Sequence, residues 1–197
     1  MIHGHELLIK YLKEDTKLNN KILIEIGSVR EILPKQNSTR EFAKFCKENK
    51  MIFYSVDMDP ENTENVIKIC KELDYIDYYA ITMKGEDFLL NFDKEIDYIY
   101  LDAFDYYHEK HSKKRKEKYL NILNCEINND NCHKMHLECC KNGLDKFKKE
   151  TKICFDDIFN CETYDGKGYL AIPYLLEKGY EIKEFVNYGI ILQQKII

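Results

Sequence analysis

The residues Lys21-Ile-Leu-Ile-Glu-Ile-Gly-Ser-Val-Arg30 open the stretch that decides the fold. Ile22 to Ile26 is apolar and largely β-branched apart from Glu25, and it is short enough for a strand. Gly27 bounds this run and supplies a turn. We therefore predict a buried strand that ends in a glycine turn.

The same stretch continues with a helix and a second strand, up to Pro60. Residues 38–49 place apolar side chains at helical spacing, and Ser38 or Thr39 can cap that helix. Residues 51–56 form the next apolar run, and Asp57 stands where it ends. Ligands bind in the crevice at the carboxyl ends of such parallel strands, where an acid can accept hydrogen bonds from both hydroxyls of a ribose. The stretch therefore indicates a nucleoside site, although any α/β protein contains such units and no glycine-rich dinucleotide or phosphate-loop motif is present.

Strands alternate with helices along the rest of the chain. We predict further strands at 78–82, 96–101, 152–155, 180–186 and 188–193, and helices at 4–14, 60–73, 112–123, 131–149 and 169–178, with a short helix starting at 87. This alternation predicts an α/β fold with a mostly parallel seven-stranded sheet, an antiparallel C-terminal edge and helices on both faces. We predict a single domain over residues 1–197, in which 1–20 form a helix packing on the sheet and 103–150 a helical insertion on the substrate side.

The bulk composition limits the class of partner. The chain has 197 residues and a net charge of −5 at pH 7, with a sequence pI of about 5.7. This balance argues against nucleic acid as the main partner, and the basic run at 113–116 is more often a solvated helix face. No apolar run is long enough to cross a membrane, and no export signal precedes the eight cysteines. We expect reduced thiols and a cytoplasmic protein without a membrane partner, and this interpretation allows a homodimer.

Acidic residues follow three of the predicted strands. Asp57 follows the second, Asp102 the fourth, and the pair Asp156-Asp157 the fifth. These strand ends share one edge of a parallel sheet, where carboxylates repel each other unless a cation joins them. Because a hard divalent ion such as Mg²⁺ suits carboxylate oxygens, we predict that Asp102, Asp156 and Asp157 bind metal. The alternative is that Asp ends strands because it favours turns.

Together these segments resemble the class I S-adenosylmethionine (SAM)-dependent methyltransferases, and within them the divalent-metal-dependent O-methyltransferases. The resemblance runs from about residue 21 to the C-terminus and is carried by the order of Glu25-Ile-Gly27, Asp57, Gly85-Glu86-Asp87, Tyr100-Leu-Asp102-Ala-Phe-Asp105 and Phe155-Asp156-Asp157. It implies a Rossmann-like methyltransferase fold, with SAM and a divalent cation, Mg²⁺, as cofactors. It implies SAM contacts from Glu25, Gly27, Ser28, Asp57, Met58, Gly85, Glu86 and Asp102.

The chain departs from this family at two points. Gly27 is followed by Ser28-Val29-Arg30, where the family usually has more than one glycine, and the loop to residue 37 is longer than usual. Asp105 stands where several relatives carry a lysine that acts near the reacting hydroxyl.

The implied reaction is methyl transfer from SAM to a hydroxyl of a small polar molecule, such as a sugar or glycan precursor. A metal would lower the pKa of that hydroxyl, and a nearby base would take its proton. His108 is the first candidate for the base, with Asp105 and His111 as further catalytic candidates, although both histidines could equally be exposed residues at a helix start. Tyr106 and Arg115 are candidates for substrate contacts. Gly166-Lys167-Gly168 could be a mobile flap over the site or an ordinary turn.

His133 and His136 lie three residues apart, on one face of a predicted helix, and Glu126 precedes them. They could contact the substrate, form a second metal site for zinc or iron, or simply be packed or solvated. Three alternatives to the metal-dependent methyltransferase therefore stay open. They are a metal-free methyltransferase, a non-catalytic nucleoside-binding module, and a metal enzyme built on Glu126, His133 and His136.

Overall fold

Seven strands and seven helices alternate in the computed structural model, which describes residues 2–30, 37–108 and 111–195. The strands are β1 (Ile22–Ile26), β2 (Ile52–Asp57), β3 (Tyr78–Thr82), β4 (Ile96–Leu101), β5 (Phe147–Asp156), β6 (Tyr180–Val186) and β7 (Gly189–Gln194). The helices are α1 (Gly4–Glu14), α2 (Ser38–Asn49), α3 (Pro60–Glu72), α4 (Gly85–Asn91), α5 (Lys113–Leu123), α6 (Asn129–Gly143) and α7 (Ala171–Glu177). Most of the long loop predicted after Arg30, residues 31–36, lies outside the described residues.

The strands form one sheet in the order β3-β2-β1-β4-β5-β7-β6. β1 pairs in parallel with β2 and β4, whereas β7 runs antiparallel to both β5 and β6. The predicted mostly parallel seven-stranded α/β fold is thus confirmed. The reversed strand, β7, lies one place inside the edge, and β6 is the edge strand. Residues 189–193 of β7 are all buried, whereas β6 carries charged side chains that suit a partly exposed edge strand.

Helices cover both faces of the sheet, as predicted, because β1 delivers apolar side chains to each face in turn. Ile24 and Ile26 pack in one core with side chains of α4, α6 and α7, and Leu23 packs in a second core with α1, α2 and α3. The longest of these helices, α6, has 15 residues. Within the described ranges no helix combines the length and the apolar character needed to cross a bilayer.

The boundary between α6 and β5 differs from the prediction of a helix to residue 149. The helix ends at Gly143, over which the Phe147 ring packs so closely that a Cβ on the glycine would lie 2.6 Å from Phe147 Cζ. The backbone N–H of Lys146 donates to the carbonyl of Gly143 at 2.9 Å, and its carbonyl accepts from Ile96, which starts the pairing of β5 with β4. Residues 146–152 are polar or charged except for Phe147, so no apolar stripe continues the helix, and pairing with β4 selects the strand.

Candidate functional site

A cavity of about 840 Å³ opens over the carboxyl ends of β1, β2, β4 and β5. Most of the predicted site residues line it, because the parallel strands bring their following loops to one edge of the sheet. Those residues are Gly27, Ser28, Asp57, Met58, Gly85, Glu86, Asp102, Asp105, Arg115, Asp156 and Asp157. The other predicted site residues, Glu25, Tyr106, His108, His111, His133 and His136, are not part of its lining as the described residues define it.

Gly27 allows the chain to turn sharply against the neighbouring strand end. Its φ is +97°, and a Cβ at this position would lie 2.5 Å from the backbone nitrogen of Ala103. A side chain is therefore excluded both by the backbone conformation and by contact. The glycine leaves backbone, rather than side chain, at the floor of the cavity between β1 and β4.

Glu25 lies beneath this turn and is fully buried. Its carboxylate accepts hydrogen bonds from Ser38 Oγ at 2.7 Å, Thr39 Oγ1 at 2.9 Å and Ser55 Oγ at 2.6 Å. Burial raises the pKa of Glu25 to about 7, and the three hydroxyl donors oppose that rise. The predicted direct contact of Glu25 with the cofactor does not fit this geometry, because its oxygens face hydroxyls of α2 and β2.

Two of those hydroxyls extend the network to the turn. Thr39 Oγ1 accepts from the backbone N–H of Val29 at 2.8 Å, and Ser55 Oγ lies 2.8 Å from Ser28 Oγ. Glu25 therefore holds the backbone after Gly27 in place from below. We assign it as a positioning residue of the turn.

Asp57 ends β2 at the wall of the cavity. Its Oδ2 accepts from the backbone N–H of Ser28 at 3.0 Å, and its Oδ1 accepts from that of Asp59 at 2.8 Å. Burial raises the pKa of this carboxyl, against the opposing effect of these hydrogen bonds. The Asn62 side chain also hydrogen-bonds to this carboxylate, and because a carboxylate has about four acceptor positions, a position remains for a hydrogen bond from a ligand.

Gly85 and Glu86 form the neighbouring wall, at the start of α4. A Cβ on Gly85 would lie 2.3 Å from Ile26 Cγ2, so close packing of α4 on β1 requires glycine here. Burial raises the pKa of Glu86. Gly85 and Glu86 line the cavity together with Gly27 and Asp57.

The three acids predicted to bind metal, which we term the acidic rim (Asp102, Asp156 and Asp157), do meet at one edge of the cavity. A lysine side chain joins two of them, Asp102 and Asp157. Lys167 Nζ pairs with the Asp102 carboxylate, lies 3.2 Å from the Asp102 carbonyl oxygen, and lies 3.0 Å from Asp157 Oδ2. Its ammonium group lowers the pKa of Asp157, and burial of Asp102 raises the pKa of that carboxyl.

Asp156 is held differently from its neighbours. Its Oδ2 accepts from the Tyr100 hydroxyl at 2.7 Å, and its Oδ1 accepts from the backbone N–H of Gly4 at 2.8 Å. Burial, with the nearby charges of Asp102 and Asp157, raises the pKa of Asp156 to about 7. This carboxyl is therefore poised between its charged and neutral forms near neutral pH.

The prediction of a magnesium site at the acidic rim does not fit this arrangement. The Lys167 ammonium lies between Asp102 and Asp157, where a cation shared by these carboxylates would have to lie. Asp156 meanwhile directs both oxygens to donors from Tyr100 and Gly4. Among the residues that the structure describes, no group of three His, Cys, Asp or Glu side chains is arranged to hold a metal ion.

Asp105, a predicted catalytic residue, is fixed between two arginines. Arg30 Nη1 lies 2.8 and 3.0 Å from its carboxylate oxygens, and Arg115 donates to the same carboxylate through Nε and, at 2.7 Å, through Nη2. The backbone N–H of Asp105 donates to the Tyr119 hydroxyl at 2.7 Å. Both oxygens are engaged by guanidinium groups, so a role as proton acceptor does not fit Asp105. The same contacts bring Arg115, predicted to bind substrate, to the cavity wall.

His108 and His111 stack on each other, with ring centroids 3.8 Å apart. His111 is buried, and its Nε2 lies 3.0 Å from the carbonyl oxygen of Tyr106. The Tyr106 hydroxyl donates to Asp165 Oδ1 at 2.8 Å. The described chain between β4 and α5 is irregular, so His108 does not follow Asp102 along a helix into the cavity. Its assignment as the base therefore lacks support from this geometry.

His133 and His136 lie on the buried side of α6. His136 is fully buried, its Nδ1 lies 2.8 Å from the carbonyl oxygen of Cys132, and burial lowers its pKa to about 3. The His133 ring packs against Tyr169, and burial lowers its pKa as well. Glu126 is exposed. The predicted metal cluster of Glu126, His133 and His136 is wrong for the described residues, and His136 is a core residue.

Among the lining residues that the sequence did not predict as site residues are His3, His5, Arg30 and Lys167. His5 is 2% exposed, and its Nε2 has no hydrogen-bond partner among the described residues, although it lies 3.8 Å from a Glu41 carboxylate oxygen. Burial lowers the pKa of His5, so the neutral ring is favoured. The close spacing of His3 and His5 along the sequence could have indicated those two residues, and the glycines on either side of Lys167 could have indicated that lysine.

Comparison with known proteins gives matches by structure alone. No protein-family model matches the chain, and no curated protein matches it by sequence. A protein from Clostridium thermocellum, provisionally assigned as an rRNA methylase, superposes with a TM-score of 0.66 at 8% identity, covering 99% of each chain. A provisionally assigned methyltransferase from Streptococcus mutans, solved in complex with SAH (S-adenosylhomocysteine), gives 0.65 at 10% identity, again over 99% of each chain.

A precorrin-6y C5,15-methyltransferase from Geobacter metallireducens gives a TM-score of 0.59 at 10% identity, covering 95% of this chain and 84% of its own. The predicted Rossmann-like methyltransferase fold is confirmed by these matches. These matches do not support the finer resemblance to the metal-dependent O-methyltransferases. At these identities the likeness establishes the fold, and this chain has the fold of class I SAM-dependent methyltransferases.

Proposed function

We propose that this protein is a SAM-dependent methyltransferase. The observation that carries the proposal is the Asp57 carboxylate, which ends β2 at the cavity wall beside the glycine turn at Gly27. An acid at this point of an α/β sheet suits a ribose with two free hydroxyls. The likeness to methyltransferases, one of them solved with SAH, supports the same function.

The residues on the cavity wall would divide the work of holding SAM. Asp57 would accept hydrogen bonds from the ribose, while Gly27 and Gly85 would let backbone approach the cofactor. The methyl carbon would leave the sulfonium of SAM, whose bonding electrons stay on sulfur as a neutral thioether. It would form a bond to an acceptor oxygen, which loses its proton. Holding the two reactants in line supplies an entropic advantage that does not require a metal.

We propose a small polar molecule as the acceptor, with its hydroxyl directed to the acidic rim. The rim oxygens can accept hydrogen bonds from hydroxyls, and the buried His5 Nε2 is a further polar atom on the same cavity. A neutral imidazole can accept a proton from a hydroxyl. A cytoplasmic location and a homodimer stay predictions.

Calorimetric titration tests the cofactor. The wild-type protein should bind both SAM and SAH, and Asp57→Asn should weaken each by at least tenfold, because hydrogen bonds to a charged group contribute about 1.5–3 kcal/mol. Asp93→Asn is the matched control, since Asp93 is exposed and outside the cavity lining. Absence of binding by the wild-type protein would refute the proposal, whereas binding without methyl transfer to any acceptor would favour a nucleoside-binding module.

A nucleic acid is the second candidate for the methyl acceptor, although the net charge of −5 predicts that nucleic acid is not the main partner. Lys84, Lys114 and Lys134 line the cavity, and α5 carries further basic residues. One of the similar structures is provisionally assigned as an rRNA methylase. Incubation with methyl-labelled SAM and either total RNA or a small-metabolite extract separates the two candidates. Label in RNA, lost on digestion with ribonuclease, would exclude the small-molecule acceptor as the main one.

A further inference from the structure

The side chain of Lys167 reaches the acidic rim from a loop that is built around it. Gly166 has a φ of +116°, and a Cβ there would lie 1.9 Å from the Asp157 carbonyl oxygen. Gly166 also forms a bridge with Ile158, and the backbone N–H of Lys167 donates to the Asp157 carbonyl at 3.3 Å. The loop is therefore held against the end of β5, which favours the ordinary turn over the mobile flap.

The charge of Lys167 is buried, and the two carboxylates that balance it are partly exposed at the cavity edge. Its side chain is 5% exposed, and it pairs with the carboxylates of Asp102 and Asp157. Burial alone would lower the pKa of Lys167, but the two carboxylates outweigh it and raise the pKa. A buried ammonium with two carboxylate partners stays charged, and removing it would leave two neighbouring, partly exposed carboxylates without a counter-charge.

We propose that the Lys167 ammonium is the resident cation of the acidic rim and excludes a divalent ion from it. The ammonium contacts oxygens of Asp102, which follows β4, and of Asp157, which follows β5. Lys167 thereby fixes the spacing of Asp102 and Asp157. In the proposed methyltransferase, and resting on that function, this spacing positions the acceptor hydroxyl without a metal.

The proposal makes the rim a latent metal site. Without the ammonium, Asp102 and Asp157 would still follow two adjacent parallel strands and would repel each other. A hard divalent cation would then be the best available compensation for their charge. The loss of one side chain should therefore create metal binding that the wild-type protein lacks.

Titration with Mn²⁺ alone, followed by the electron paramagnetic resonance of the free ion, tests this in the absence of SAM. We expect Lys167→Ala to bind one Mn²⁺ at least tenfold more tightly than the wild-type protein does. The added affinity should disappear in Lys167→Ala combined with Asp102→Asn. Lys167→Arg, which keeps the positive charge, should exclude Mn²⁺ as the wild-type protein does. Because SAM takes no part, failure here is distinct from failure of the methyltransferase proposal.

The Mn²⁺ titration of the wild-type protein tests the proposal even if Lys167→Ala fails to fold. One Mn²⁺ bound by the wild-type protein and lost in Asp102→Asn would overturn the proposal. A folded Lys167→Ala that gains no Mn²⁺ affinity would overturn it as well. Lys167→Met, which keeps most of the apolar stem in the loop, is the second variant for the same comparison.

Discussion

At the scale of single residues, the carboxyl group of Glu25 combines complete burial with three hydroxyl donors. Burial favours its neutral form and the donors favour its charged form, and burial prevails. The pKa of Glu25 is consequently about 7, compared with 4.5 for an unburied glutamate. A group whose pKa is higher in the folded protein makes stability depend on pH, because the folded state binds its proton more strongly.

Glu25→Gln should remove this part of the pH dependence. The contribution of Glu25 is fully present below pH 4.5 and is lost as the pH rises to about 7. We expect the wild-type protein to lose about 2–3 kcal/mol more of its free energy of unfolding between pH 5 and pH 8 than Glu25→Gln loses. Urea denaturation at both pH values measures the difference. Asp156 titrates in the same range, but it is present in both proteins and its effect cancels. Equal losses would contradict the assignment.

At the scale of elements, the turn after β1 depends on the close approach of Gly27 to the end of β4. The left-handed conformation and the contact with Ala103 both exclude a side chain. Gly179 offers a matched comparison, because it has a φ of +87° but nothing lies within 4 Å of its Cβ position. Comparing substitutions at the two glycines therefore separates the effect of backbone strain from the effect of the contact with Ala103.

Gly27→Ala should destabilise the protein more than Gly179→Ala does. Strain in the left-handed region costs about 1–3 kcal/mol at either position, and overpacking adds about 1–3 kcal/mol at Gly27 alone. We expect Gly27→Ala to have the lower free energy of unfolding in urea and to bind SAH more weakly. If the two variants were equally stable, the contact with Ala103 would not matter.

Elements with strong local signals could be predicted from the sequence, and contacts distant along the chain could not. The apolar runs before Gly27 and Asp57 identify strands, and parallel pairing then brings the strand ends together. The end of α6 was missed because it depends on Phe147 packing over Gly143. Lys167 reaches Asp102 across 65 residues of sequence and Gly4 reaches Asp156 across 152, and no local pattern encodes such distances.

At the scale of the whole molecule, α1 joins the beginning of the chain to its last strands. It packs against β5 and β7, and Leu7, Leu8 and Leu12 are buried beneath it. Its first residue also donates to the acidic rim through the Gly4 N–H. Docking of this helix on the sheet therefore also places the Gly4 N–H that holds Asp156 at the cavity edge.

Leu8→Ala should destabilise the whole domain by about 2–5 kcal/mol, since its side chain is fully buried and its removal leaves a cavity. Leu90→Ala is the matched control, because Leu90 is 61% exposed and should change stability by less than about 0.5 kcal/mol. Urea denaturation of both variants measures the contrast. Similar effects of the two substitutions would show that α1 is not part of the cooperative unit.

The two arginines on Asp105 have a consequence for how the ligands would act on each other. Arg30 belongs to the segment after β1, on the side of the proposed cofactor, whereas Arg115 belongs to α5, and one carboxylate holds both. A ligand that moved either arginine would change how the Asp105 carboxylate binds the other arginine. Donor and acceptor should therefore be thermodynamically linked, each changing the affinity of the other by the same factor.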